Sequence, residues 1–454
     1  MIDNSTFGSL TAIYHTFGCK LNFAETSAIA AEFAARGINR AEAGQAPDII
    51  LINSCSVTEE ADKKCRQTVR SLHRRYPSAA IILTGCYAQL KPDEAASLDG
   101  VAVVAGNDKK GLILEYLDRW LSDRAPRREV IATKDIRVFT PSCSRGDRTR
   151  YFLKVQDGCD CWCTYCTIPA ARGRSRSATI ADLVGQARAV AAEGGREIVI
   201  TGVNIGDFGK RGPDGLAPAA REDFLGLIRA LDAVEGIERY RISSIEPDLL
   251  TDEIIDFAAS SRAFMPHFHI PLQCGSDAVL KLMRRRYDTS LFADKIARVR
   301  RAMPDAFIGI DIIAGARGET DEEFERSFRF VEGLDITRLH VFPYSERPGT
   351  KALEIPHQVS REEKQRRVAR LMRLSEEKLG DFSARFLGQT RLVLLEHPKP
   401  GHPMAGFTDN YLRVSVENAP VELDNEIVPV RLDRVVTGSG GEPEFIGTIL
   451  PDLR

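Results

Sequence analysis

The chain has 454 residues, of which 43% are hydrophobic and 28% charged, with a formal net charge of −2. That length and apolar content support roughly two to four domains with real cores, and the near-neutral balance excludes a globally basic nucleic-acid binder or a protein held to a membrane by charge alone, so an anionic partner must be met by local patches. No apolar run reaches the length of a membrane span and the opening Met-Ile-Asp-Asn-Ser does not read as a signal peptide; the expectation is a cytoplasmic protein, in which ten cysteines point to metal or redox chemistry rather than to disulfides.

Apolar stretches at 12–16, 48–52 and 80–84 read as short buried strands, each followed by a helical pattern. Residues 9–130 are therefore expected to form a doubly wound, Rossmann-like α/β domain. A cysteine follows each strand: Cys19 in Thr-Phe-Gly-Cys-Lys-Leu-Asn, Cys55 in Ile-Asn-Ser-Cys-Ser-Val-Thr and Cys86 in Leu-Thr-Gly-Cys-Tyr. The carboxyl ends of parallel strands share one sheet edge, where ligands bind, so these distant cysteines can converge there. Gly18 and Gly85 precede two of them and permit close backbone approach to a bulky group. Cys65 lies in the helical pattern 59–76 at core spacing with Val69 and Leu72, while Cys143 and Cys274 lack cysteine partners at ligand spacing; all three read as small buried hydrophobes. On the other face of that helix Arg66, Arg70 and Arg74 recur at four-residue steps. Such a face is usually only solvated, but its single sign and its nearness to Cys55 make it a candidate phosphate contact.

From 145 to 355, strand patterns at 151–156, 197–202, 240–245, 267–272, 307–313 and 338–342 alternate with helical ones such as 180–193 and 321–334. They predict a partial (β/α)6 barrel, with its chemistry at the carboxyl ends of the strands. The loop after the first strand carries Cys159, Cys163 and Cys166 at C-x3-C-x2-C spacing. Three thiolates can hold three irons of a 4Fe-4S cubane and leave the fourth iron open. S-adenosylmethionine can chelate an open iron through its amino and carboxylate groups, and an electron passed to it cleaves the sulfonium. A zinc knot would favour a second C-x2-C knuckle, and none follows. Cys161 reads as a bystander, because residues two apart do not easily reach neighbouring corners of one cube. The strand-end rule also selects Asn204, Ser243, Glu246, Gln273 and Asp311 as polar groups able to bind the cofactor. Arg172, Arg174 and Arg176 alternate directly after the loop and are candidate RNA phosphate contacts, with internal salt bridges as the alternative.

Residues 356–383 are expected to form a helical connector rich in Arg and Glu. Beyond it, alternating segments at 389–395, 411–416, 426–432 and 446–450 predict a small closed β-barrel over 384–454. That region holds seven Lys/Arg against ten Asp/Glu, which argues against a simple phosphate-binding surface.

At the C-x3-C-x2-C loop the sequence resembles the radical S-adenosylmethionine superfamily, and with Cys19, Cys55 and Cys86 it is similar to the methylthiotransferases, radical enzymes with a second cluster on three amino-terminal cysteines. The final barrel resembles the RNA-binding TRAM domain by position. The resemblance implies two 4Fe-4S clusters, S-adenosylmethionine with Tyr165 against its adenine, a tRNA anticodon stem-loop as substrate, a reductant such as flavodoxin, and no conventional catalytic acid or base. Thr-Phe-Gly-Cys-Lys-Leu-Asn, and Cys-Ser-Val-Thr followed by Ala61-Asp62-Lys63-Lys64, look most like the branch acting on threonylcarbamoyladenosine, which would make the reaction methylthiolation of carbon 2 at tRNA position 37. Isopentenyladenosine enzymes more often show Gly-Cys-Gln-Met-Asn and ribosomal-protein enzymes Gly-Cys-Pro-Lys-Asn, and both substrates stay open as alternatives. A non-enzymatic iron-sulfur electron carrier or RNA-binding module is the distant one, disfavoured by open irons at both sites. Where relatives commonly carry Gly-Phe-Pro-Gly-Glu-Thr, residues 315–320 are Gly-Ala-Arg-Gly-Glu-Thr, so no role carries over to the missing aromatic and proline.

Overall fold

Continuous apolar runs with both faces covered make the first sheet parallel. β1 (Thr11–Thr16), β2 (Asn39–Arg40), β3 (Ile49–Ser54), β4 (Ala80–Gly85), β5 (Val101–Ala105) and β6 (Arg127–Glu129) pair in the order β2-β1-β3-β4-β5-β6. Three of these strands were expected from the sequence; β2, β5 and β6 extend the sheet beyond them. The computed structural model describes residue 8 and residues 10–451, apart from 147–148, 218–221, 399–400 and 439–440. Helices α1 (Lys20–Ala35), α2 (Glu59–Arg75) and α3 (Cys86–Leu90) leave the carboxyl ends of β1, β3 and β4. Thr58 caps α2 by accepting from the Ala61 N–H at 3.2 Å, and Glu59, Glu60 and Asp62 complement the dipole of its first turn.

In the second domain β7 (Ser142–Cys143) lies antiparallel against β8 (Arg150–Lys154), and β9 (Gln156–Asp157) forms a short ribbon with β10 (Arg176–Ser177). β8 pairs in parallel with β11 (Glu197–Thr201), and β11 with β12 (Arg239–Ile242). β13 (His267–Gln273), β14 (Phe307–Ala314) and β15 (Arg338–Pro343) form a second parallel set. Parallel bridges at Tyr240–Phe264 and Ser244–His269 join the sets into a six-stranded partial barrel. Strand alternation sends Leu153, Ile198, Ile200 and Ile242 to the surrounding helices, and turns Phe152, Lys154, Val199 and Asp311 the other way.

Six strands leave a lateral gap in the barrel, and α1 of the first domain fills it. Phe23 meets Phe152 edge-on at 5.6 Å, and Ala24 packs with Phe152 and Val199. At the next residue, the buried Glu25 carboxylate pairs with Lys110, with Lys154 at 2.8 Å and with Arg172 at 3.1 Å. Asp157 takes Lys154 at 2.8 Å, Arg172 at 2.9 Å and Arg176 at 3.3 Å. Every member of this network is at most 2% exposed. It fastens one domain to the other with buried ion pairs beside the hydrophobic contact of Phe23 and Ala24.

The helix α4 (Ile168–Arg172) follows the cluster loop, and α5 (Arg361–Ala384) is the connector, capped by Ser360, which accepts from the Glu363 N–H at 3.1 Å. β16 (Thr390–Leu395), β17 (Met404–Thr408), β18 (Arg413–Val416), β19 (Ile427–Thr437) and β20 (Pro443–Ile449) close into the expected barrel, in the order β16-β17-β18-β20-β19. Its fifth strand, β17, was not anticipated, because Met-Ala-Gly-Phe-Thr carries neither alternation nor a β-branched run. This small barrel sits against the amino ends of the radical strands. Arg239 donates to the carbonyls of Phe407 and Leu392 at 3.0 and 2.9 Å, and Arg241 to those of Asp409 and Thr408 at 2.7 and 2.8 Å. The Tyr411 ring lies 4.4 Å from that of His267, and its hydroxyl accepts from Arg150 at 3.1 Å. Burial and the nearby Arg241 hold His267 well below the usual histidine range, so this plug is uncharged at His267. Among the described residues no helix is long and apolar enough to cross a membrane.

Candidate active site

The cluster loop begins where β9 ends, and Gln156 splints it to the neighbouring strand. Its Oε1 accepts from the N–H groups of Val203 and Asn204 at 3.0 and 2.8 Å, while Nε2 donates to the Gly158 carbonyl at 2.7 Å and to Ser175 Oγ at 2.9 Å. The loop lines a cavity of about 340 Å³ at the carboxyl-end rim, into which Cys159, Cys163 and Cys166 open together with Tyr165, Glu246, Gln273 and Asp311. Four of the six residues expected to bind the cofactor therefore share one space. Gln273 does so from a left-handed conformation, φ +68°, at an irregularity in β13, a strained backbone of the kind retained at working sites. Asn204 and Ser243 are placed differently. Asn204 is buried behind the wall, with Nδ2 3.6 Å from Cys161 Sγ and its Oδ1 lacking a hydrogen-bond partner. Ser243 is buried, and Ser244 lines the cavity in its place.

Arg285 was not anticipated as a site residue, because the run of three arginines at 284–286 is by itself uninformative. Its guanidinium donates to Cys163 Sγ at 3.2 Å, pairs with Glu246 and donates through Nε to Tyr287 Oη at 3.0 Å. Burial pushes the Glu246 carboxyl up to about 7 against the opposing pull of Arg285. Burial likewise pushes the Cys166 thiol up to about 12. Cys161 is not turned away from the ligands. It lines the same cavity, and its N–H donates to Cys159 Sγ at 3.3 Å.

The amino-terminal cysteines meet as the strand-end argument expects. Cys19 caps α1, Cys86 opens α3, and Cys55 follows β3 directly. Burial raises the Cys55 thiol to about 11, and the neighbouring Cys86 and Cys19 add to the rise. Cys19 opens to solvent, yet it is so crowded by protein that its thiol is also raised, with Cys86 again contributing and Arg172 opposing. Asn22 ties the edge together by donating to the carbonyls of Phe17 at 2.7 Å and Ser54 at 3.1 Å. The chain just past Cys55 reaches the other set: Val57 and Thr58 line the same cavity, and Thr167 Oγ1 donates to the Ser56 carbonyl at 3.4 Å.

The donor chemistry fits iron-sulfur clusters at both places. Among the described residues no three His, Cys, Asp or Glu side chains close around a point where a single ion could sit, whereas two sets of three free thiols, one lining a cavity and the other brought together at a sheet edge, suit a polynuclear group. At the amino-terminal set the room beside Cys55 depends on a missing side chain. Gly18 has φ +95°, and a Cβ there would stand 2.9 Å from Cys55 Sγ. Gly18→Ala is accordingly expected to lower iron bound at this set severalfold while leaving that bound by Cys159, Cys163 and Cys166, as read by iron analysis in a Cys159→Ala background and its parent. Cys65, Cys143 and Cys274 are buried as expected, and burial raises each thiol to about 12.

The arginine expectations need correction. Arg172 and Arg176 point inward, consumed by Glu25 and Asp157, and Arg176 also donates to the carbonyls of Val138 and Arg172 at 2.8 Å. Neither presents its charge to RNA. Arg174 is exposed, as are Arg70 and Arg74, while Arg66 is half-buried and paired with Glu94 at 3.0 Å. The variant 315–320 loop is structural: Glu319 accepts from the Gly315 N–H at 3.0 Å and from Arg367 at 2.6 Å.

Residues 11–106 match a family described as Uncharacterized protein family UPF0004, and residues 153–331 match the Radical SAM superfamily. The chain is similar to the threonylcarbamoyladenosine tRNA methylthiotransferase MtaB of Bacillus subtilis, with 37% identity over 93% of each chain. With MtaB of Thermotoga maritima the identity is 36%, over 89% of this chain and 90% of that one. The tRNA-2-methylthio-N(6)-dimethylallyladenosine synthase of Thermobifida fusca is 33% identical, over 96% and 86%. Among solved structures, the radical S-adenosylmethionine methyltransferase TsrM of Kitasatospora setae shares the fold, with a TM-score of 0.54 over 76% and 77% of the two chains at 13% identity. With both of its cysteine-bearing domains matched and this identity carried nearly end to end, the chain belongs to the radical S-adenosylmethionine methylthiotransferase family.

Proposed function

We propose that the protein methylthiolates carbon 2 of threonylcarbamoyladenosine at position 37 of tRNA, using two 4Fe-4S clusters and S-adenosylmethionine. The observation that carries this reading is the approach of the Cys19, Cys55 and Cys86 set to the cavity of Cys159, Cys163 and Cys166 through Val57 and Thr58. When bound, the clusters supply the electron for reductive cleavage of S-adenosylmethionine and the sulfur to be transferred, chemistry that no side-chain base can apply to the C–H of an adenine ring. The protein's own part is placement. Tyr165, Glu246, Gln273 and Asp311 are positioned to bind and orient S-adenosylmethionine, and Arg285 holds Glu246 and Cys163 in register. No side chain is assigned as a general acid or base. A base in the anticodon loop is cheaper to draw out of its stack than a paired one. Similarity to the MtaB proteins and the Lys20 position favour threonylcarbamoyladenosine over isopentenyladenosine. A flavodoxin-like reductant and a cytoplasmic setting complete the proposal, with Arg70, Arg74 and Arg174 left as phosphate contacts.

The test is anaerobic incubation of reconstituted protein with S-adenosylmethionine, a reductant and tRNA carrying threonylcarbamoyladenosine, followed by mass spectrometry of the digested nucleosides. The 2-methylthio nucleoside is expected. Formation of 5′-deoxyadenosine alone on this tRNA, with the methylthio product appearing instead on isopentenyladenosine tRNA, would transfer the assignment to the second substrate.

A further inference from the structure

A second concavity, of about 450 Å³, lies outside the active site on the far side of the cluster loop, between that loop, the start of α4 and the 133–137 stretch that joins the first two domains. Its lining includes five cationic side chains and no carboxylate. Two of the five are already engaged, Arg176 with Asp157 and Arg211 with Asp160 at 2.5 Å. Lys134, Arg137 and Arg174 are exposed and have no carboxylate partner among the described residues. Elsewhere on this protein surface arginines are commonly matched, as Arg66 is by Glu94 and Arg338 by Glu442, so three open cations in one groove concentrate positive potential in a protein of net charge −2.

Trp162 forms part of the same groove. Its neighbours Cys161 and Cys163 line the active-site cavity, whereas Trp162 faces the other way and is 61% exposed. A large indole left in water gains nothing for the fold. Beside free cations it forms the pair of features that single-stranded nucleic acid requires, a stacking face for a base and charges for the adjoining phosphates.

We propose that this groove binds the unpaired RNA strand next to the target nucleotide, with one base stacked on Trp162 and the phosphates on Lys134, Arg137 and Arg174. The inference rests on the tRNA reading above and adds to it a location. An acidic electron donor would also be drawn to positive charge, but it would not need a concave floor with an aromatic face set among the cations.

The experiment is fluorescence anisotropy of a labelled synthetic anticodon stem-loop RNA with the full-length, cluster-reconstituted protein over a series of salt concentrations, on variants first matched for iron content and circular dichroism. The Lys134→Ala, Arg137→Ala, Arg174→Ala triple variant is expected to lower the slope of log affinity against log salt by about 2, near 0.7 for each lost cation. Trp162→Ala is expected to weaken binding roughly 5- to 100-fold with the slope unchanged, and Trp162→Phe to restore most of the loss. Wild-type affinity and slope in both the triple and the Trp162→Ala variants would overturn the proposal. So would a triple variant that binds RNA normally but is reduced more slowly by an acidic flavoprotein, which would make the groove an electron-donor dock. Tight, salt-dependent stem-loop binding by a wild-type protein that forms no methylthio product would remove the functional assignment and leave the groove standing; a wild type that binds no RNA would remove both.

Discussion

Replacing Glu25 with alanine is expected to cost about 3–5 kcal/mol of stability, because it leaves buried cations without the carboxylate they were paired with. Lys110 loses its partner outright, Lys154 keeps Asp157, and Arg172 keeps Asp157 and the Asn22 amide oxygen. Because Glu25 sits on α1 and Lys154 and Arg172 in the barrel domain, the loss should appear as a lower urea midpoint and as earlier proteolysis between the first two domains. The pH dependence has a definite sign. Burial acts against ionisation of Glu25, but Arg172, Lys110 and Lys154 outweigh it and hold the carboxyl well below the usual range; Asp157 is held down in the same way by Lys154, Arg172 and Arg176. Carboxyls depressed in the folded state add stability that is present above their unfolded values, about 4.3 for Glu and 3.9 for Asp, and is lost as pH falls through the folded values. The contribution is therefore constant from about pH 7 down to 5 and disappears only below about pH 4. Glu25→Gln is expected to flatten that acid limb. An unaltered limb would show that the network does not carry this linkage.

Separating the two cysteine sets should produce the largest change in chemistry. In Cys159→Ala both 5′-deoxyadenosine and the methylthio nucleoside are expected to vanish. In Cys86→Ala, 5′-deoxyadenosine formation is expected to persist while the methylthio product falls below detection, and each variant should hold roughly half of the parent's iron. Retained methylthiolation in Cys86→Ala would remove the amino-terminal set from the reaction.

The gathering of Cys159, Cys163 and Cys166 in one cavity and of Cys19, Cys55 and Cys86 at one sheet edge was legible because the first three share one short loop and because parallel strands present their carboxyl ends along one edge. The radical strands were legible for a related reason: each is a short apolar run between helical periods. Charge was harder to read. Arg172, Arg174 and Arg176 look equivalent along the chain, but α4 ends at Arg172, Gly173 turns at φ +74°, and only Arg174 emerges. The partner that buries Arg172 lies 147 residues earlier, at Glu25, beyond any local pattern. Arg285 was missed for the same reason, since Glu246 lies 39 residues before it. The strand Met404–Thr408 escaped notice because Met-Ala-Gly-Phe-Thr carries no alternating or β-branched signal.

The small carboxy-terminal barrel blocks the amino ends of the radical strands, and α1 fills their lateral gap. Among the described residues the cavity opens at the cysteine rim, and traffic through that mouth would have an order. S-adenosylmethionine must be seated before the nucleotide arrives above it, and its fragments must wait until the nucleotide has gone. On the proposed reaction, turnover is expected to run last in, first out, and excess RNA to slow the enzyme by trapping spent cofactor beneath it.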